Sequence, residues 1–156
     1  MRILGIDPGT ATIGYGAIDT EGNKAKFVAA GVVSTDKSFT DAERLRDIYQ
    51  SVKVIIKKYK PELIAVEKIY FSKNIKTAIS VAQARGVIML AVQDQKVKIW
   101  ECSPQDVKMS VTGYGAADKK QVQHMVKVLL NLKTAPKPDD VADSLAAALA
   151  AMNRRF

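Results

Sequence analysis

Residues 2–7 read Arg2-Ile3-Leu4-Gly5-Ile6-Asp7 and run directly into Pro8-Gly9-Thr10. Ile3, Leu4 and Ile6 around a single glycine are the signature of a short buried strand. Pro8-Gly9 then turns the chain sharply. The strand therefore closes on a carboxylate. A carboxylate at the end of a core strand is costly unless something compensates it. Equally, an aspartate before Pro-Gly is a common turn residue in its own right. Which of these applies depends on what the rest of the chain brings near Asp7.

Outward from this stretch, a second strand is predicted over roughly residues 12–18. A turn follows at Glu21-Gly22-Asn23, and a third strand runs from Lys26 to Val33. Together they read as an antiparallel meander. Thr40-Asp41-Ala42-Glu43 is a capping box. Leu45, Ile48, Tyr49, Val52, Ile55, Ile56 and Tyr59 follow it at helical spacing, with Pro61 at the exit. Leu63-Ile64-Ala65-Val66 is a buried strand that ends on Glu67. A helix near 73–94 carries Ile75, Ala78, Ile79, Ala82, Gly86 and Met89 on one apolar face, and Lys98 to Cys102 is a strand. Ser103 caps a short helix with Pro104 in its first turn. The loop Gly113-Tyr114-Gly115 precedes Asp118 and a helix to about Leu132. A proline-containing loop from Thr134 to Asp139 leads to a last helix from Asp140 to about Asn153. The order β-β-β-α-β-α-β-α-α-α predicts an α/β fold. Its sheet is mixed and five-stranded, three antiparallel strands then parallel ones, flanked by helices. The 156 residues fit one domain, 1–156, with one sizeable core.

Composition narrows the function. Lys and Arg number 24 against 16 Asp and Glu, a net charge of +8. A small basic domain points to a polyanionic partner. No basic amphipathic helix stands apart from the core, so nucleic acid outranks a membrane. There is no apolar run of about 18 residues that would span a bilayer. The N-terminus, broken by Asp7 and Pro8, does not read as a signal peptide. The single cysteine, Cys102, has no disulfide or metal-site partner and reads as a buried thiol at a strand end. A reducing, cytoplasmic setting is expected.

Glu67, like Asp7, ends an apolar strand. Asp140 and Asp143, three apart, are surface neighbours at the start of the last helix. Spacing alone favours a solvated cap for that pair, because negative charge suits a helix N-terminus. The pair also lies opposite the stripe Val141, Leu145, Leu149 and Met152. If Asp7, Glu67, Asp140 and Asp143 do converge, they cannot all stay ionised unaided. A divalent cation resolves the repulsion, and oxygen-only ligands suit Mg²⁺ or Mn²⁺. Two such ions clamp the attacking and leaving oxygens of a phosphodiester.

Several stretches carry a resemblance that sharpens this reading. They are ILGIDPGTATIGYG at the start, AVEKIYFSKN around Glu67, AQARGV at 82–87, TGYGAADKKQVQHMV at 112–126 and PDDVADSLAAALA at 138–150. In that order, over nearly the whole chain, the sequence resembles the RuvC family of Holliday-junction resolvases, endonucleases of RNase H-like fold. DPGT alone also opens sugar kinases and actin-like ATPases, but 156 residues leave no room for their second domain. The resemblance implies that Asp7, Glu67, Asp140 and Asp143 are catalytic metal ligands, and so turns the helix pair inward. Asp139 is the adjacent competitor, and the D-x-x-D spacing selects Asp140. The implied cofactor is Mg²⁺, with Mn²⁺ as a substitute, two ions to a site. The implied reaction is paired, symmetric nicking of a four-way DNA junction in recombination and repair. A homodimer and cooperation with the RuvA–RuvB branch-migration complex are implied with it.

Tyr70 matches a family aromatic that stacks on or wedges a base, with Phe71 the competing residue. Lys73, Lys76, Arg85, Lys108, Lys119 and Lys120 are candidate phosphate contacts, each also readable as an ordinary surface charge. Lys119 and Lys120 stand out because they begin a helix, where backbone N–H groups favour phosphate. His124, lone and mid-helix, is not cast as a general base. Gly14 and Gly16 either let DNA or phosphate approach the first strand or serve tight packing. A DNA-binding module without catalysis, its carboxylates used only as caps, is the remaining alternative.

Overall fold

In a computed structural model that describes residues 1–68 and 75–153, the elements follow the predicted order. The strands are β1 (Arg2–Asp7), β2 (Thr12–Glu21), β3 (Lys24–Ser34), β4 (Leu63–Glu67) and β5 (Lys98–Cys102). The helices are α1 (Asp41–Tyr59), α2 (Ile75–Asp94), α3 (Pro104–Thr112), α4 (Lys119–Leu129) and α5 (Asp139–Met152). The sheet order is β3-β2-β1-β4-β5. β1 pairs antiparallel with β2 and parallel with β4, and β4 pairs parallel with β5. β2 and β3 are longer than predicted and meet at Gly22-Asn23, with Gly22 at φ +56°. α4 stops earlier than predicted: Leu130 caps it and Asn131 takes a left-handed conformation that ends the helix.

Strand alternation divides the core into two layers. Leu4, Ile6, Ile13, Ala17, Ile64 and Val66 pack under α1 and α2. Ile3, Ile18, Leu63 and Ala65 pack under α5, which α3 and α4 cover in turn. The α1 stripe behaves as its spacing predicts, with Ile48, Val52, Ile55 and Ile56 buried. Thr40 and Glu43 form the expected capping box.

Two helices depart from their sequence pattern. In α2 the buried positions are Ala84, Ile88, Ala91 and Val92. The face bearing Ile79, Ala82 and Gly86 points outward, with Ile79 61% and Leu90 56% exposed. The helix is apolar nearly all round, so periodicity could not say which side faces the sheet. In α5 every residue from Val141 to Ala151 is buried except Asp143, which is half-buried. Beyond its first turn the helix is enclosed by the sheet below and two helices above. Asp140 and Asp143, which spacing alone favours as a solvated cap, are both half-buried.

Candidate active site

The period of two places Asp7 on the same face as Ile3 and Gly5, under α5. It likewise places Glu67 on the face of Leu63 and Ala65. β1 and β4 are hydrogen-bonded neighbours with Ile6 opposite Val66, so the two carboxylates leave adjacent strand ends on one side of the sheet.

α5 brings the other two. Its approach is set by glycines on the floor beneath it: Gly16 lies opposite Gly5, and Gly14 opposite Asp7. A Cβ on Gly5 would sit 1.8 Å from the Ser144 carbonyl oxygen, and one on Gly14 2.0 Å from that of Asp140. A Cβ on Gly16 would meet the Leu145 side chain at 2.6 Å. Backbone thus lies on backbone, and the first turn of α5 is delivered to the end of β1. Tight packing is the use of Gly14 and Gly16. Gly5 belongs with them and was not singled out from the sequence. The available signal was a glycine inside a core strand.

The electrostatics show the convergence. The Asp7 carboxyl is pushed from 3.8 up to about 7, by burial first and then by the charges of Asp143, Glu67 and Asp140, with Lys119 opposing. Glu67 is raised by burial and by Asp143, against Lys119 and Lys108. Asp143 is also raised by burial, while its hydrogen bond from Lys119 works the other way. The Lys119 Nζ donates to Asp143 Oδ2 at 3.0 Å and to Asp139 Oδ2 at 3.2 Å. Asp139, exposed, also accepts from Gln123 Nε2 at 2.9 Å, and Lys119 holds its carboxyl below the usual range. Burial works to lower the Lys119 ammonium, and its two aspartates outweigh that and hold it up. A cleft of about 190 Å³ opens between Glu67, Lys108, Lys119 and Asp143.

This arrangement fits a divalent cation by its chemistry. The donors are oxygens only, and the repulsion that adds to burial in raising Asp7 is what a cation between the carboxylates would relieve. Among the described residues, no three acidic, histidine or cysteine side chains already close into a ligand cage. Lys119 holds Asp143 instead.

Comparisons with known proteins give the family. The sequence profile of the family described as "Crossover junction endodeoxyribonuclease RuvC" matches residues 3–151. The chain belongs to the RuvC family. It is 49% identical over 149 residues to the crossover junction endodeoxyribonuclease RuvC of Caldanaerobacter subterraneus subsp. tengcongensis, covering 96% of this chain and 90% of the relative. The solved Thermus thermophilus RuvC superposes with a TM-score of 0.90 at 35% identity, over 97% of this chain and 94% of that one. The same protein in complex with a Holliday junction substrate gives 0.91 at 34% identity, over 96% and 92%. The fold is accordingly the RNase H-like α/β fold of RuvC, and the family is one of metal-dependent endodeoxyribonucleases.

In this chain the remaining candidates divide. Tyr70, Phe71 and Lys73 lie outside the described residues, as does the side chain of Lys76. Lys108 borders the carboxylate cleft and Lys120 is exposed one residue beyond Lys119. Lys119 is engaged by Asp139 and Asp143. The α4 N-terminus is less open than expected, because Asp118 accepts from the Gln121 N–H at 2.8 Å in a capping box. His124 is exposed. Arg85 reaches into the protein: its Nε donates to the Glu67 carbonyl at 3.2 Å, and its Nη2 pairs with Glu101. Cys102 is buried as expected, and its Sγ approaches the Val66 carbonyl at 3.7 Å. Burial and the charge of Glu67 push that thiol up to about 12. No described helix is long and apolar enough to cross a membrane.

Proposed function

We propose that this protein resolves four-way DNA junctions by paired, symmetric phosphodiester hydrolysis in recombination and repair, with Asp7, Glu67, Asp140 and Asp143 as the residues that hold its metal. The observation that carries the reading is the meeting of four carboxylates from β1, β4 and α5 in a chain of net charge +8. The Thermus relative's complex with a Holliday junction supports the substrate class.

Mg²⁺, with Mn²⁺ as substitute and two ions per site, would supply Lewis-acid activation of water and stabilisation of the leaving oxygen. The chain's own residues do the rest. Asp7 and Glu67, on a rigid sheet, define one wall of the site. Asp140 and Asp143, on α5, define the other. Lys119 neutralises Asp143 until metal and phosphate arrive, and is then placed to meet a phosphate oxygen. Lys108 and Lys120 extend this positive rim, and Lys73 belongs to the same reading. Tyr70 offers an aromatic face for an unstacked base at the crossover.

Two cuts in opposed strands need two sites, so the active species is a homodimer whose two-fold matches that of the junction. The outward apolar stripe of α2, Ile79, Ala82, Gly86 and Leu90, is the face that supports pairing. The protein acts in the cytoplasm as one domain, with RuvA–RuvB delivering the junction.

A synthetic junction, a matched linear duplex and Mg²⁺, with EDTA as control, test the reading. Paired nicks on the junction alone are expected, lost with EDTA and with Asp7→Asn while junction binding persists. Unchanged cleavage by Asp7→Asn overturns the site, and equal nicking of linear duplex overturns the substrate shape. Junction affinity should fall steeply with salt as counterions are released. Ca²⁺, with looser coordination, should support little cleavage.

A further inference from the structure

Glu67 stands where the β1–β4 ladder runs out. In a parallel pair, a residue whose backbone faces its neighbour donates to one residue of that strand and accepts from another two residues further on. The Lys68 N–H bonds to the Cys102 carbonyl on β5, at 2.8 Å. Glu67 therefore faces the other way, towards β1. With Ile6 opposite Val66, the donor due to the Glu67 carbonyl is the N–H of residue 8. Residue 8 is proline and has none. The turn that ends β1 thus withdraws the hydrogen bond that would fix the peptide following Glu67.

Arg85 fills the gap. It lies on α2, whose buried face packs with Leu4 and Ile6, on the side of the sheet away from α5. The Glu67 side chain points to the α5 side. The Arg85 Nε donates to the Glu67 carbonyl at 3.2 Å, and its Nη2 is held by Glu101, which lies opposite Val66 on β5. The Arg85 side chain is only 20% exposed. Both polar ends of the 67–68 peptide are then pinned, the N–H by β5 and the C=O by α2.

We infer that Arg85 is a positioning residue: it supplies the donor that Pro8 removes and so fixes the backbone from which Glu67 reaches the metal. It is not a phosphate contact. The inference rests on the reading of Glu67 as a metal ligand. Arginine suits the task because one planar fork serves the carbonyl and the Glu101 carboxylate together, which a lysine ammonium on its flexible stem does not reproduce.

The test uses the full-length protein, with Mn²⁺ binding followed by electron paramagnetic resonance beside single-turnover cleavage of a junction. Arg85→Gln should weaken Mn²⁺ binding and slow cleavage by about 10-fold or more, the usual scale for loss of an outer support of a metal ligand, with junction affinity within about twofold. Arg85→Lys, which keeps the charge, should resemble Arg85→Gln. Adding Pro8→Ala to Arg85→Gln restores an N–H opposite the Glu67 carbonyl and should recover part of the lost Mn²⁺ affinity. Weakened junction binding with normal Mn²⁺ titration in Arg85→Gln, or full rescue by Arg85→Lys, overturns the inference and returns Arg85 to phosphate binding. If Arg85→Gln fails to fold, Arg85→Lys and Glu101→Gln carry the same readouts, and unchanged Mn²⁺ affinity in both overturns it. Asp7→Asn separates the two levels. If it too leaves Mn²⁺ binding intact, the metal-site reading is what fails. If it abolishes Mn²⁺ binding while the Arg85 variants titrate like wild type, only the positioning role fails.

Discussion

Asp7 and Glu67 end neighbouring strands on one face of one sheet, yet the molecule holds their surroundings by opposite means. Around Asp7 the support is backbone on backbone. Gly5 and Gly14 let the first turns of α5 rest on the sheet at a distance that no side chain would permit. Around Glu67 the support is a side chain, the Arg85 guanidinium, standing in for a ladder bond that Pro8 cannot make. Steric packing of backbones is stiff and tolerates no added atom, whereas a hydrogen-bonded clamp can be loosened by degrees. The first arrangement is therefore expected to fail in stability, and the second in function with the fold intact.

The harshest way to break the comparison is Gly5→Ala. Its methyl would overlap the Ser144 carbonyl, and α5 would have to lift off the sheet along its length. A loss of about 3 kcal/mol or more is expected in urea unfolding, above the usual cost of overpacking because the obstacle is backbone. Cleavage should be lost with it. If Gly5→Ala is neutral, the close approach is not what seats α5.

Asp7→Asn should sharpen the contrast from the other side, since it removes function while adding stability. The Asp7 carboxyl ionises near 3.8 when unfolded and only at about 7 when folded. Between these values the folded state holds a proton that the unfolded state has released, so the Asp7 contribution to metal-free stability falls as pH rises from about 4 to about 7. Allowing for relaxation and screening, Asp7→Asn should raise metal-free stability at pH 7 by about 2 kcal/mol and flatten the pH profile. Mg²⁺ should restabilise wild type and have far less effect on the variant. Thermal unfolding across pH, with and without Mg²⁺, checks both. A stability difference between Asp7→Asn and wild type that does not widen as pH rises from about 4 to about 7 contradicts the assignment.

Smaller effects are expected on the Glu67 side. Cys102→Ala removes a buried thiol under the β4–β5 strand ends and should cost about 1 kcal/mol, with the Mn²⁺ titration little changed. The wild-type thiol, held as the neutral form by burial, should react with iodoacetamide only as fast as the protein opens. Smallest of all for function is Thr40→Ala. It removes one half of the α1 capping box, far from the carboxylates, for about 1 kcal/mol of stability and no change in cleavage.

Much of the scaffold was legible in the chain because its cues are local. Thr40 and Glu43 announce α1, Ser103-Pro104 announces α3, and the apolar runs ending in Asp7 and Glu67 mark strands whose period fixes their faces. α2 and α5 were harder for one shared reason. Both are apolar nearly all round, so spacing carried no information about which side met the sheet. It left Ile79 and Gly86 on the wrong face and favoured a solvated Asp143. The resemblance, not the periodicity, turned the α5 pair inward.

By itself, then, the sequence determined the order of elements, the basic charge and the strand-end carboxylates, because strand period, capping and composition act within a few residues. Only the tertiary structure decided that α5 could approach β1 closely enough to add its own carboxylates. It also decided that Lys119 is held by Asp139 and Asp143, and that Arg85 completes the ladder Pro8 leaves open. Those outcomes depend on contacts between residues far apart in the chain, where the absence of a Cβ or of an N–H matters only once a second segment arrives to meet it.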